Sequence, residues 1–198
     1  MQKESWPKEG KHILAQYADD YVVVYQAYRP EIGLFAAKHQ YFGGAFSFTR
    51  MSWIIPNFLW MMYRSGWGKK VGQEIALAIY LRRNFFNRIL LNAFPSTNIN
   101  RLPKNDWKQH LLKTNVRLQW DPDHDPFGKP LERRAIQLGL RNEFLVPFKG
   151  EGILKIEDIS DYVSEQWHLL KSGELNKLSV PKEDIYPVNS ELRKIIYM

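Results

Sequence analysis

The segment that decides the fold is YVVVYQAY, residues 21–28, which is followed directly by Arg29 and Pro30. Its β-branched and aromatic residues are typical of a buried strand, and the proline cannot continue a hydrogen-bonded ladder. Pro30 and Glu31 then precede IGLFAAKHQYF, and a proline and an acid both suit the first turn of a helix. We therefore predict a core strand followed by a helix that ends at the glycine pair 43–44.

Further elements follow from the same patterns. Residues 46–49 form a short strand-like segment, and a mostly buried helix follows Pro56 and ends at Gly66. The apolar run 75–81 is either a central strand, which we favour, or a helix by its period.

The second half of the body continues this alternation. The remaining predictions are a helix at 106–113, strands at 115–120, 135–140, 143–148 and 152–159, an exposed loop at 121–130, and a helix at 158–170. A turn at Arg141 and Asn142 joins two of these strands. The patterns predict one mixed α+β domain over residues 1–172, with residues 173–198 as a C-terminal extension.

The composition is that of a globular domain. Of the 198 residues, 44% are hydrophobic and 25% are charged. Cysteine is absent, which excludes disulfides, thiolate nucleophiles and cysteine-ligated metals. The first ten residues lack the apolar stretch of a secretory signal, and the most apolar window, 51–63, is too short to cross a bilayer. We therefore expect a cytoplasmic protein with no membrane partner.

The charge favours a polyanionic partner. The chain has 28 Lys and Arg against 21 Asp and Glu, a formal net charge of +7, which suits nucleic acid or phosphorylated ligands. Six arginines adjoin apolar segments rather than form one block: Arg29, Arg50, Arg64, Arg133, Arg134 and Arg141. A guanidinium held at the edge of a core element presents a planar fork to phosphate. Alternatively, each arginine is a solvated end residue or the partner of a nearby acid.

Aromatic residues lie close to these arginines in sequence. Tyr25 and Tyr28 precede Arg29, and Trp67 follows Arg64. Rings beside guanidiniums can sandwich a base or a nicotinamide. Aromatic residues at helical spacing are more often part of a core, which is the favoured interpretation for Trp53 and Trp60.

Motifs for metal binding and for the common nucleotide folds are weak or absent. Asp121, Asp123, His124 and Asp125 lie within five residues, but the glycine and distal glutamate of a calcium loop do not fall at the required spacing. A turn stabilised by aspartate side chains is the better interpretation, and we expect no metal. No GxGxxG, P-loop or GxSxG pattern is present, which argues against dinucleotide-fold and P-loop proteins.

Four segments carry a family resemblance. VVYQAYRPEIG, RMSWIIPNFLWMMYRSGWG, VRLQWDPDHD and RAIQLGL resemble the family of domain of unknown function 4291, from about residue 15 to residue 159. This family resemblance implies no particular activity.

The order of elements also resembles the ADP-ribosyltransferase fold, whose sheet is split and flanked by helices. The resemblance implies that Arg29, at the end of the opening strand, would hold the phosphates of NAD. Ser47 or Thr49 would then support the nicotinamide. Gln137 stands near the position where that fold carries a catalytic glutamate, so this sequence departs from the pattern there. The RNA 2′-phosphotransferase branch works with arginine-rich sites instead, which fits this chain better.

These observations lead to one main hypothesis, an NAD-using transferase that acts on nucleic acid, with RNA as the expected partner. Its candidate residues are Arg29, Arg64, Arg134 and Gln137 for catalysis, Tyr25, Tyr28, Ser47 and Thr49 for NAD, and Arg50, Trp67, Arg133 and Arg141 for nucleic acid. The first alternative is a non-enzymatic protein that binds RNA or single-stranded DNA. The second is a structural domain, which predicts that the six arginines are dispersed over the surface.

Overall fold

The computed structural model describes residues 6–99 and 101–198. The strands are β1 (Leu14–Ala15), β2 (Tyr21–Tyr28), β3 (Ser52–Ile54), β4 (Ile75–Arg82), β5 (Ala93–Pro95), β6 (Val116–His124), β7 (Pro130–Leu140), β8 (Ile153–Asp158) and β9 (Asp184–Ile185). The helices are α1 (Pro30–His39), α2 (Phe58–Ser65), α3 (Arg83–Leu91), α4 (Lys104–Lys113), α5 (Ser160–Ser172) and α6 (Ser190–Ile195). Two short 3-10 helices span Asn142–Phe144 and Val146–Lys149.

The strands form two larger sheets and one short pair. The first sheet is antiparallel, in the order β2-β4-β8, and the second has the order β3-β7-β6-β5, in which β5 runs parallel to β6. The small pair joins β1 to β9. A single bridge connects the larger sheets, because the backbone N–H of Tyr25 donates to the carbonyl of Ile55 at 2.7 Å. The predicted α+β class is confirmed.

The alternation of side chains along β2 creates two hydrophobic clusters. Val24 faces a cluster that joins residues of both sheets, including Ile79 of β4 and Leu138 of β7. Val23 faces the other side of its sheet, where it packs in a cluster with Phe58 of α2. Successive side chains of a strand point to opposite faces of its sheet. The mostly apolar sequence of β2 is therefore packed against hydrophobic residues on both faces.

Several predicted elements are confirmed. β2 has the predicted bounds, 75–81 is a strand, and α2 ends at Gly66, whose φ of 59° lies in the left-handed region. At the start of α2, the side chain of Asn57 accepts a hydrogen bond from the backbone N–H of Trp60. Helix α1 begins at Pro30 but ends at His39, before the glycine pair, because Gln40 already has a left-handed conformation.

Other predictions were wrong, and long-range pairing explains the difference. Residues 46–49 are loop and turn, and residues 143–148 form the two 3-10 helices instead of a strand. The loop predicted at 121–130 is shorter in the structure, since β6 continues through Pro122 to His124 and pairs with β7, and only residues 125–129 form a turn. Asp123 and His124 are buried there.

Helix α3 was missed altogether, although its apolar residues recur at helical spacing. Phe85, Phe86, Ile89 and Leu90 are all buried in the larger cluster.

Residues 173–198, the expected extension, pack against the body. Tyr186, Leu192 and Ile196 are buried in the larger hydrophobic cluster. Among the described residues, no helix is both long enough and apolar enough to span a membrane.

A buried carboxylate fixes this C-terminal segment to α2. Glu183 is 1% exposed and accepts hydrogen bonds from the backbone N–H of Phe58 at 2.6 Å and from Nδ2 of Asn57 at 3.1 Å. A carboxylate at a helix N-terminus satisfies donors that have no partner within the helix. Burial nevertheless raises the pKa of Glu183 well above its usual range, because it penalises the charged form.

The raised pKa of Glu183 predicts a measurable pH dependence of stability. A carboxyl with a higher pKa in the folded state binds more protons when folded, so stability falls as pH rises above about 4.3, the unfolded-state value, towards the folded pKa. The substitution Glu183→Gln removes this contribution and keeps an acceptor for Phe58. We expect a flatter plot of unfolding free energy against pH, measured by urea denaturation between pH 5 and 8.

The control is Glu174→Gln, which removes an exposed carboxylate of the same segment. Asp121 and Asp123 also have raised pKa values. Both residues are present in wild type and in the two variants, so they contribute to the pH dependence of all three proteins. If wild type and Glu183→Gln show the same slope, this account of Glu183 is wrong.

Candidate functional site

The candidate site consists of two adjoining cavities. The amide cavity, about 440 Å³, is lined by four glutamine side chains and by Tyr28, Ser52, Trp53 and Arg64; the glutamines are Gln26, Gln73, Gln119 and Gln137. The arginine cavity, about 420 Å³, is lined by Arg29, Arg50 and Ser47 among others. Both cavities are lined by Tyr28, Met51 and Ser52, so they adjoin at these residues, and we call the two together the cleft. Each volume is within the range of small-molecule sites.

A hydrogen-bond network forms the junction between the two cavities. Nε2 of Gln26 donates to Ser52 Oγ at 2.9 Å and to the carbonyl of Trp53 at 2.8 Å, and the Tyr28 hydroxyl lies 2.6 Å from Ser52 Oγ. Gln26 and Tyr28 are two residues apart on β2, so both side chains point to the cleft. Burial raises the pKa of Tyr28 far above its usual range, which keeps the phenol neutral.

One acceptor in this network is left without a partner. Gln26 is only 3% exposed, and its Oε1 has no hydrogen bond from any residue among 6–99 and 101–198. A buried carbonyl without a donor is unfavourable by about 1–3 kcal/mol. A ligand N–H in the amide cavity would satisfy it.

A second group of polar side chains lies on β6 and β7. Gln119 and Gln137 are opposite each other in the register, and Nε2 of Gln137 donates to Oε1 of Gln119 at 2.7 Å and to the carboxylate of Asp121. Burial raises the pKa of Asp121, although the bond from Gln137 and the charge of Arg134 oppose this effect. The carboxylate is thus held next to the amide cavity by Gln137.

Close packing over Gly139 shapes the same cavity. A Cβ atom on Gly139 would lie 2.8 Å from Sδ of Met51 and 3.0 Å from the ring of Trp53. Glycine therefore allows these two lining side chains to lie directly on β7.

The positive charges of the cleft lie at its rim. Arg29 is 56% exposed and pairs with Glu31 at 3.4 Å, and Arg50 and Arg64 are exposed as well. Exposed guanidiniums of this kind are not committed to strong internal ion pairs. Thr49 lines neither cavity, but its hydroxyl oxygen lies 3.1 Å from that of Ser47, which lines the arginine cavity.

Arg134 lies at a third cavity, which we call the Trp120 cavity. It measures about 290 Å³ and is lined by Lys11, Trp120, Asp121 and Arg134 among others. Gln119 lines both this cavity and the amide cavity, so the two adjoin there. The structure thus brings Arg29, Arg64, Ser47 and Gln137 to one cleft, with Arg134 at its neighbour.

Two aromatic residues expected to contact a ligand are instead part of the core. Tyr25 is 1% exposed, its hydroxyl accepts a hydrogen bond from Gln16, and its ring packs edge-on against Phe58. Trp67 is 8% exposed and donates from Nε1 to the carbonyl of Pro126 at 3.3 Å. Their expected roles in NAD and nucleic-acid binding are therefore corrected.

Two arginines expected to bind nucleic acid are also used by the fold. Nε of Arg133 contacts Oδ2 of Asp123 at 2.5 Å, and its guanidinium lies 5.1 Å from the centre of the Trp6 ring. Arg141 donates to the carbonyls of Leu112 and Thr114, at the end of α4. These cations satisfy buried or terminal groups of the protein itself, which explains why they are not presented to a ligand.

The cleft contains residues that the sequence did not single out, above all Gln26, Ser52 and Gln119. Gln26 had a recognisable signal, since it is the only polar residue in YVVVYQAY. A polar side chain in such a strand needs a hydrogen-bond partner or a function.

One aspartate of the segment 121–125 stabilises a tight turn. Within residues 6–99 and 101–198 there is no group of three or more His, Asp or Glu side chains able to hold a metal ion. Oδ1 of Asp125 accepts hydrogen bonds from the backbone N–H groups of Phe127 and Lys129, both at 2.9 Å. This is the aspartate-stabilised turn that the sequence favoured.

A comparison with models of protein families shows which family the chain matches. The model of the family described as domain of unknown function (DUF4291) matches residues 12–186. The chain belongs to the DUF4291 family. The DUF4291 match is longer than the resemblance at residues 15–159 and includes every residue that lines the cleft. A search of curated proteins gave no significant match.

The different environments of Arg133 and Arg50 predict effects of different size on stability. Arg133→Ala leaves Asp123 buried without its partner, so we expect the free energy of unfolding to fall by about 3–5 kcal/mol. Arg50→Ala removes an exposed side chain, and we expect a change within about 0.5 kcal/mol. Urea denaturation followed by tryptophan fluorescence measures both. Equal effects of the two substitutions would contradict this assignment.

Proposed function

We propose that the cleft binds NAD and that this DUF4291 protein transfers the ADP-ribose part to nucleic acid, with RNA as the expected acceptor. The observation that supports it is the joining of a cationic cavity and a neutral, amide-lined cavity at Tyr28 and Ser52. NAD has the same division, since its pyrophosphate is anionic and its nicotinamide ends in an uncharged carboxamide.

The arginine cavity fits the pyrophosphate. Arg29 and Arg50 line it with guanidiniums, which bind phosphate through two parallel hydrogen bonds, and Ser47 adds a hydroxyl. Their exposure means that little desolvation precedes binding. Arg64, at the rim of the amide cavity, supplies a further positive charge.

The amide cavity fits the carboxamide. Oε1 of Gln26 lacks a donor among the described residues, and the NH₂ of nicotinamide supplies one. The hydroxyls of Tyr28 and Ser52 share one hydrogen bond, so one of the two has a proton left to donate to the carboxamide oxygen, and Trp53 offers a ring for stacking.

The transfer itself needs no oxidant or reductant. The bond between ribose C1′ and the nicotinamide nitrogen breaks, and its electron pair stays on the nitrogen, which makes the released nicotinamide neutral. An acceptor oxygen forms the new bond to C1′ and loses a proton. Gln137 cannot take this proton, but the Asp121 carboxylate that it holds can.

The first test measures NAD binding and consumption. We expect NAD to raise the melting temperature, and we expect the protein to release nicotinamide and to label RNA when given NAD with a radioactive adenylate. An RNA with a 2′-phosphate serves as a second acceptor. Arg29→Gln and Arg64→Gln should weaken NAD binding about tenfold each, whereas Arg88→Gln, on α3 and outside both cavities, should not.

The same measurements distinguish the transferase from a non-enzymatic RNA-binding protein. Salt-sensitive RNA binding without any thermal response to NAD or release of nicotinamide would overturn the transferase and favour a non-enzymatic RNA-binding protein, which the net charge of +7 also suits.

A second prediction concerns the carboxylate. We expect Asp121→Asn to lower the transfer rate at least about 100-fold, the usual scale of general-base catalysis, while the NAD-induced thermal shift is retained. Release of nicotinamide and labelling of RNA at wild-type rates would show that Asp121 does not accept the proton.

A further inference from the structure

The Trp120 cavity has its own cations, separate from those of the cleft. Lys11 and Arg134 are neighbours in a parallel bridge, and the backbone N–H of Arg134 donates to the carbonyl of Gly10 at 2.8 Å. Neither residue has an ion pair within 4.0 Å to an acidic side chain in the described part of the chain. Two adjacent positive charges repel each other, so an anion bound between them would be stabilised by both.

The C-terminal turn holds this cavity in shape. Nζ of Lys11 donates to the carbonyl of Tyr197 at 2.6 Å, and Nε1 of Trp120 donates to the carbonyl of Ile196 at 2.7 Å. Lys11 also lies 5.9 Å from the centre of the Trp120 ring. A fixed, partly exposed indole beside two cations provides both a flat apolar surface and a phosphate site.

The chain that leads away from the cavity is strongly basic. After Thr97 and Ile99, which line the cavity, residues 101–117 carry five positive charges and one negative charge, a net charge of +4. Helix α4 lies within this segment and has no buried residue. Its lysines are therefore in solvent, where they can attract a polyanion.

We propose that the Trp120 cavity is the acceptor subsite, which binds one nucleotide of a single-stranded RNA. Its phosphate lies between Lys11 and Arg134, its base packs against Trp120, and the strand continues past the basic segment 101–117. The subsite adjoins the amide cavity at Gln119, so RNA and NAD would approach the same polar group from different cavities. That this RNA accepts ADP-ribose rests on the proposed function, whereas the binding of RNA in the Trp120 cavity does not.

The test uses a fluorescein-labelled single-stranded RNA of about ten nucleotides and fluorescence anisotropy at several salt concentrations with the full chain. Loss of one phosphate contact lowers the slope of log K against log salt by about 0.7 for a single strand. We expect this reduction for Arg134→Gln and for Lys11→Gln. Trp120→Leu should weaken binding at least about fivefold through loss of stacking.

The matched control is Lys171→Gln, which removes one exposed positive charge from the last turn of α5. Its slope should match wild type. Trp120 is partly buried, so the melting temperature of Trp120→Leu is measured before its RNA affinity is compared with that of wild type. Arg134 is exposed, so Arg134→Gln provides the main test.

A thermal shift with NAD on the same variants separates the two proposals. If Arg134→Gln loses RNA affinity and keeps the NAD response of wild type, both proposals are supported. If wild type shows no NAD response while Arg134→Gln still loses RNA affinity, the subsite stands and the transferase does not. If Arg134→Gln and Lys11→Gln bind RNA as Lys171→Gln does, or if wild type binds no single-stranded RNA at low salt, the subsite is overturned.

Discussion

The cleft depends on the backbone hydrogen bonding between the two larger sheets, which ends beside it. Tyr25 and Ile55 exchange backbone hydrogen bonds, at 2.7 and 3.3 Å, and this bridge is the last direct link between β2 and the segment of β3. Beyond it, the amide of Gln26 spans the gap and donates to Ser52 and to the carbonyl of Trp53. A side chain thus replaces the missing ladder, and the space that it spans is the amide cavity. A residue without an amide at position 26 would remove the donor to the carbonyl of Trp53, whereas Ser52 would keep the Tyr28 hydroxyl as a partner.

The two ends of the chain stabilise the same region. Trp6 donates to the carbonyl of Glu183, whose carboxylate in turn accepts from the start of α2. Farther along, Lys11 and Trp120 are held by the last turn of α6 and the residues that follow it. A C-terminal segment that looks like an appendage in the sequence therefore contributes hydrogen bonds both to the core and to a cavity wall.

The sequence predicted elements where local pattern and tertiary environment agree, and it failed where they do not. β2 and α2 have clear apolar patterns with a proline or glycine near their ends, and both were predicted. The strand through Pro122 could not be predicted, because its stability comes from pairing with β7 and from the ion pair between Asp123 and Arg133. No local pattern reveals a partner ten residues away.

Local sequence also does not distinguish the arginines that are buried from those that are exposed at the site. Arg133 and Arg134 are adjacent, yet their side chains leave β7 on opposite faces, so that one is buried against Asp123 and the other is exposed.

The distribution of charge in the cleft follows from the energetics of burial. Arginines at the rim remain hydrated, whereas a buried guanidinium needs a partner such as the one that Arg133 finds in Asp123. The interior of the amide cavity instead contains amides and hydroxyls, which bond to one another except at Oε1 of Gln26 and which keep their hydrogen-bonding character over a wide pH range. Such a lining complements a ligand with a polar, uncharged group at its inner end and an anionic outer part. A ligand with a negative charge at its inner end would lose its hydration there without gaining an opposite charge, and the arrangement of residues therefore argues against binding of a simple anion at Gln26.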